Sequence, residues 1–329
     1  MESSPVTDIA IIGGGPAGLF AAFYAGLRSL RAQVFEALPF VGGQIAALYP
    51  EKTIFDVGGF PAVRGTDLVD ALARQARFGS PTIRLREAVT GLDRDGDLFR
   101  LTTAQGTYQA RAVICAVGVG QFAPRPMGTE AVDRWEGRGL VHTVRDVAGY
   151  AGSSVLVVGG GDSALDWASE LAESGARVTV AHRREAFRAV ESSLTRAERA
   201  GVILKRSTVL ESIEGTDRPE RARLRHLPSG QVEEVGFDAV VLALGFVADL
   251  SLLRAWGLPL DGRGIVVAPD TMAVAPGIFA IGDAVAYPGK LKLIATAFGE
   301  AALAVSAAAI YLDPKAHLQS GHSTSLIAR

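Results

Sequence analysis

One design occurs twice in this 329-residue chain, 146 positions apart. Val6 to Ile12 (VTDIAII) has the apolar run of a strand, GGGPAG follows at once, and a helical pattern runs from Ala17 to Arg28. The next strand, Gln33 to Glu36, ends on an acid. Strand, glycine turn, helix and acid-tipped strand together make a dinucleotide-binding fold, which a bare GxGxxG does not establish. Gly13 allows the tight turn, Gly15 lets a pyrophosphate approach the backbone, and Gly18 lets the helix lie close to the strand. Pro16 and Ala17 open that helix, whose free amides hold the phosphates. Glu36, 23 positions after Gly13, accepts from both ribose hydroxyls of an adenosine.

The second copy differs where it matters. Ser154 to Val158 is again a strand, GGGDSA supplies Gly159, Gly161, Asp162, Ser163 and Ala164, and Ala176 to Ala181 is the next strand. In register with Gly13, Gly15, Gly18 and Glu36 stand Gly159, Gly161, Ala164 and His182. The ribose acid of the first copy is thus a histidine in the second, followed by Arg183 and Arg184, with Arg188 four residues on. A carboxylate there would repel a 2′-phosphate, whereas a pair of guanidiniums can fork onto its oxygens. The first copy therefore suits a plain ribose, and the second suits NADP. A chain that holds two dinucleotides has a chemical use for both in hydride transfer from nicotinamide to a flavin, with FAD resident and NADPH visiting.

These elements predict an α/β protein of two Rossmann-like, three-layer domains, the NADP domain inserted in the FAD domain. AVICAVG (Ala112 to Gly118) and AVVLALG (Ala239 to Gly245) are matching strand-to-turn segments, one for each nucleotide unit, and GIFAIGDA (Gly277 to Ala284) returns the chain to the first fold. The expected boundaries are 1–119 and 239–310 for the FAD domain, 120–238 for the insertion, and 311–329 for a C-terminal extension. The two joining strands suit a hinge.

A net charge of −2 leaves no global basic field for nucleic acid. Nothing at the N-terminus reads as a signal peptide, so the cytoplasm is the expected location. Leu293 to Leu312 is almost wholly apolar but carries Glu300, and its alanines fit a helix buried in a globular domain better than a membrane span. The single cysteine, Cys115, lies in an apolar strand and reads as an inert core residue. No metal is needed by this chemistry.

On these residues the chain resembles the two-dinucleotide flavoprotein disulfide reductases, and within them the low-molecular-weight thioredoxin reductases. HRREAFRA and IFAIGDA carry the likeness. Thioredoxin reductases need a CxxC about twenty residues before the second fingerprint, and this chain has GLVHTVRDVAGYAGSSVLVVGGGDSA there, without cysteine. GGQIAALYPEKTIFDVGGFP (Gly42 to Pro61), GGGDSALDW and the tail YLDPKAHLQSGHSTS (Tyr311 to Ser325) resemble instead the thioredoxin-reductase-like ferredoxin–NADP⁺ reductases.

That resemblance implies a homodimer with FAD, exchanging electrons between NADPH and ferredoxin or flavodoxin. It implies that Tyr49 stacks on one face of the isoalloxazine with Gly43 and Gln44 nearby. His322 then covers the other face from the partner subunit, with Thr324 beside the cofactor. Asp283 binds the ribityl or pyrophosphate part, Val89 contacts the adenine and Phe122 the flavin region. Arg64, Arg84, Lys290 and Lys292 are candidates for a basic patch facing an acidic ferredoxin. The other enzymatic reading is an NADPH oxidase or diaphorase using oxygen or quinones.

Overall fold

The computed structural model describes residues 6–144, 146–319, 321 and 324; side chains are not described in the strands 121–124 and 246–249. The chain divides into two compact units, residues 1–121 with 248–329, and residues 122–247.

In the first unit the fingerprint strand β1 (Thr7–Ile12) lies centrally in an eight-stranded sheet. Parallel strands run outward from it in both directions: β2 (Ala32–Phe35) then Thr82–Arg84 on one side, Gly106–Cys115 then Ile278–Ala280 on the other. Both faces of such a strand are covered, which is why Ile9 to Ile12 of β1 is a continuous apolar run without polar alternation. The hairpin Val89–Asp95 and Leu98–Thr103 joins the sheet through Gly106–Cys115.

Helix α1 (Pro16–Leu27) buries Gly18, Leu19, Ala21, Ala22 and Ala25. Its small residues meet those of the helix Ile294–Leu312, which buries Ala297, Ala301, Ala304 and Ala308. Side chains this short let two helix backbones approach closely. The Ile294–Leu312 helix is long and apolar enough to cross a membrane, and half of its apolar stretch is buried within the unit. It runs through Tyr311 and Leu312, the first two residues of the stretch expected as the C-terminal extension.

The second unit repeats the plan. Its five parallel strands follow the order Leu140–Val141, Ala239–Ala243, Ser154–Gly159, Arg177–Ala181, Ile203–Lys205, again with the fingerprint strand central. A three-stranded antiparallel sheet, Thr208–Glu214, Arg221–His226 and Val232–Gly236, is added to it. Here the expected boundary at 238 needs correction. Ala239 to Ala243 pairs in parallel register with Val155 to Gly159, so AVVLALG is the neighbour of the second fingerprint strand and the unit extends to Val247. The joining segments Gln121–Pro124 and Phe246–Asp249 pair with each other as a two-stranded ribbon.

Candidate functional site

Glycine is enforced at two positions of the first fingerprint. Gly13 has φ +112°, and a Cβ there would stand 2.3 Å from the Ala116 carbonyl oxygen. A Cβ on Gly18 would stand 1.9 Å from the Gly13 oxygen. Gly15 is different: its nearest neighbour would be Gly43 Cα at 3.7 Å, so the space beside it is open. Gly15 caps α1 with no side-chain hydrogen bond, and the helix opens on Pro16 with no acid in its first turn. The orphan amides of that turn, Ala17 and Gly18 among them, suit an anion.

Glu36 is fixed beside this turn. Gly14 N–H donates to its Oε2 at 2.7 Å and Leu38 N–H to its Oε1 at 2.8 Å. Burial pushes its carboxyl above the usual 4.5, against the lowering effect of the Leu38, Gly14 and Ala37 amides. A raised carboxyl holds its proton to higher pH in the folded chain, so ionising it costs stability above that range. Ribose hydroxyls, as donors, favour the ionised form. FAD affinity should therefore weaken as pH falls towards the range where Glu36 takes its proton. Release of FAD measured against pH checks this, and Glu36→Gln should flatten the profile.

Glu87 N–H donates to the Glu36 carbonyl at 2.8 Å, which brings the buried Val89 to the same end of the sheet. On the other side of the turn, Gly42 N–H donates to the Gly14 carbonyl at 2.8 Å, and Gly42 and Gly43 have φ +107° and +54°. A Cβ on Gly43 would meet Gly15 Cα at 2.9 Å, so helix α2 (Gly43–Leu48) starts against the fingerprint. Gln44 Nε2 lies 3.1 Å from the Cβ position of Gly118, at the turn after Gly106–Cys115. Tyr49 ends α2, and burial pushes its phenol up to about 12, with the charges of Asp283 and Asp56 adding to the shift. Asp283 is thus near enough to act on Tyr49, and Gly282 would place a Cβ 3.2 Å from that of Ala17.

One group of residues escaped the sequence reading. Glu300 Oε2 accepts from Gly282 N–H at 2.7 Å, while Oε1 accepts from Tyr287 O–H at 2.7 Å and from Lys290 Nζ at 2.5 Å. The Lys290 and Glu300 side chains are only 7% and 3% exposed. Lys290 is therefore no docking residue, because its charge is spent on Glu300. Arg84 is no better: it lies 4.3 Å over the Tyr108 ring and 3.7 Å from Glu87. Arg64 pairs with Glu51 at 3.3 Å, and Lys292 is exposed.

In the second fingerprint a Cβ on Gly159 would stand 2.5 Å from the Ala243 oxygen, and one on Gly160 would enter the His182 ring at 2.1 Å. The Gly14–Glu36 contact of the first copy is thus repeated as Gly160–His182. Gly161 has nothing within 4 Å, and Asp162 and Ser163 beside it are exposed, whereas Ala164 is buried. His182 is stacked on Phe187 at 4.9 Å, with Nε2 3.3 Å from the Ala186 carbonyl. Burial holds its imidazole below the usual 6.5, and the charges of Arg184, Arg188 and Arg183 push the same way. Those three arginines are exposed, with no ion pair among the described residues. Their loop is stapled to the fingerprint: Arg188 N–H donates to the Gly160 carbonyl at 2.8 Å and Val190 N–H to Asp162 Oδ1 at 2.9 Å.

Cys115 is fully buried, and burial pushes its thiol up to about 12, which removes it from thiolate chemistry. Phe122 falls in a strand whose side chains are not described, and His322 lies outside the described residues. Thr324 is exposed.

Residues 7–301 match the family described as pyridine nucleotide-disulphide oxidoreductase. The chain belongs to this family. Curated relatives include the ferredoxin–NADP reductase of Geobacillus kaustophilus, 43% identical over 327 residues (99% of this chain, 98% of that protein). The ferredoxin–NADP reductase of Thermus thermophilus is 44% identical, covering 98% of both chains. Among solved structures, the thioredoxin reductase of Lactococcus lactis in its FR conformation aligns with TM-score 0.79 at 27% identity, over 93% of this chain and 99% of that one. Within the pyridine nucleotide-disulphide oxidoreductase family, this chain has two dinucleotide-binding folds and takes FAD and NADP(H). The residues fit both groups: the first fingerprint leaves open space at Gly15 and a carboxylate at the ribose end, the second a histidine and free guanidiniums.

Proposed function

We propose that this chain is a ferredoxin–NADP⁺ reductase: it takes hydride equivalents from NADPH and delivers single electrons to ferredoxin or flavodoxin, or runs the reverse. The pairing of Glu36 with His182 at one structural position carries the reading, because it makes the two sites unlike. Full-length relatives of that name at 43% and 44% identity support it. Bound FAD supplies the conversion between two-electron and one-electron transfer.

The protein binds and orients. The amides at the start of α1 hold the pyrophosphate, with Gly13, Gly15, Pro16, Ala17 and Gly18 shaping the turn. Glu36 accepts from the adenosine ribose, Val89 lines the adenine side, and Asp283 takes the ribityl or pyrophosphate part. Gly43 and Gln44 bring Tyr49 to one face of the ring; Phe122 belongs to the flavin region. His322 covers the other face from the partner subunit of a homodimer, with Thr324 beside it. Gly159, Gly161, Asp162, Ser163 and Ala164 receive NADP(H), and His182, Arg183, Arg184 and Arg188 take its 2′-phosphate. No side chain acts as acid, base or nucleophile, and the buried Cys115 leaves no dithiol, so electrons go to an external carrier. The enzyme works in the cytoplasm.

Steady-state turnover with NADPH tests this. Reduction of ferredoxin or flavodoxin should exceed oxygen consumption by a wide margin. Turnover with oxygen far above that with any ferredoxin or flavodoxin would make the chain an NADPH oxidase instead.

A further inference from the structure

The buried carboxylate of Glu300 has three donors and no part in the roles above. Two donors, Tyr287 and Lys290, come from the loop that precedes its helix; the third is the backbone of Gly282. Gly282 has φ +77° and opens the turn Gly282–Ala284, which carries Asp283 and lies against Ala17 at the start of α1. A side chain that holds Gly282 N–H therefore fixes where Asp283 stands relative to the first fingerprint. Lys290 makes this possible. An ionised carboxylate buried alone would be strongly disfavoured, and a paired cation with two further hydrogen bonds satisfies it.

We propose that Glu300 is a positioning residue for FAD: neutralised by Lys290, it locks the Gly282–Asp283 turn against the fingerprint helix and so sets the grip of Asp283 on the cofactor. This rests on the assignment of Asp283 to FAD made above. A charge placed in an otherwise apolar helix thus serves the neighbouring turn and not the helix itself.

The test separates the hydrogen bond from the buried charge. Removing Glu300 alone strands the Lys290 cation and destabilises the chain for an unrelated reason. Two charge-free double variants avoid this. In Lys290→Met with Glu300→Gln, the amide oxygen still accepts from Gly282 N–H and the amide nitrogen can donate to Tyr287. In Lys290→Met with Glu300→Leu, volume is kept but Gly282 N–H is orphaned.

FAD release from the full-length holoenzyme, followed by free-flavin fluorescence after dilution, should be near wild type in the first. It should be faster by about tenfold or more in the second. Visible circular dichroism of the bound flavin should change only in the second. Tyr287→Phe, which leaves the Gly282 bond in place, should stay within about twofold. NADP⁺ affinity should be equal in all of them. Equal FAD release from the two double variants would overturn the proposal while leaving the functional reading intact. A wild-type chain that holds no FAD would overturn both.

Discussion

Replacing Arg183 and Arg184 together with alanine should raise the KM for NADPH by about 10- to 50-fold and leave that for NADH within about twofold. Charge-assisted hydrogen bonds to a phosphate are worth about 1.5–3 kcal/mol each, and exposure lowers their value, so the pair is given the lower half of that range. Both guanidiniums are exposed and unpaired among the described residues, so their removal orphans no partner. The loop itself should keep its place, since it is held by Arg188 N–H on Gly160 and Val190 N–H on Asp162, bonds that use no guanidinium. Because ground-state binding is what these groups supply, kcat at saturating NADPH should change little. An equal rise in KM for both nucleotides would refute the phosphate clamp. Steady-state kinetics with the two cofactors side by side decides it.

The second large effect is expected at Gly18. An alanine methyl there would stand 1.9 Å from the Gly13 carbonyl oxygen, a backbone atom that cannot step aside without moving α1 off the sheet. Overpacking of this kind costs about 1–3 kcal/mol or more, and it displaces the amides that hold the pyrophosphate. Gly18→Ala should therefore purify without flavin and melt early. Gly15→Ala makes the comparison. Its φ of −74° suits any residue and its nearest contact is an ordinary 3.7 Å, so the fold should survive. The added methyl still enters the space next to the fingerprint, so FAD affinity should fall without a matching loss of thermal stability. The two variants together separate the glycine needed for packing from the glycine needed for the ligand.

Much of this site was legible in the sequence because the fingerprint couples local geometry to chemistry. The shift from Glu36 to His182 was readable by counting, and the structure shows why counting works: each residue lies at the second glycine of its own fingerprint, Glu36 against Gly14 and His182 against Gly160. The domain boundary was less legible. AVICAVG and AVVLALG look alike because each flanks a fingerprint strand in a parallel sheet, and an apolar run buried on both faces does not name its neighbour. Only pairing with Val155–Gly159 places Ala239–Ala243 in the inserted unit.

Charge was the least legible feature. Lys290 and Arg84 read as surface cations because most lysines and arginines are exposed. Their engagement depends on partners fixed by tertiary structure: Glu300 ten positions away in sequence, and the Tyr108 ring 24 positions away. Glu300 did show in the sequence as a lone acid in an apolar helix, which marks burial but not the turn it holds. The role given to His322 rests on resemblance, and its residue lies outside the described part of the chain.

The central claim is that electrons pass from NADPH to the flavin and then leave the protein without a dithiol. Anaerobic mixing of the FAD-loaded Cys115→Ala variant with NADPH, followed by oxidised ferredoxin, tests it most directly. The visible flavin band should bleach with NADPH at the wild-type rate and recover when ferredoxin is added. A band that does not bleach, or that bleaches and recovers only with a disulfide or with oxygen, would contradict the account.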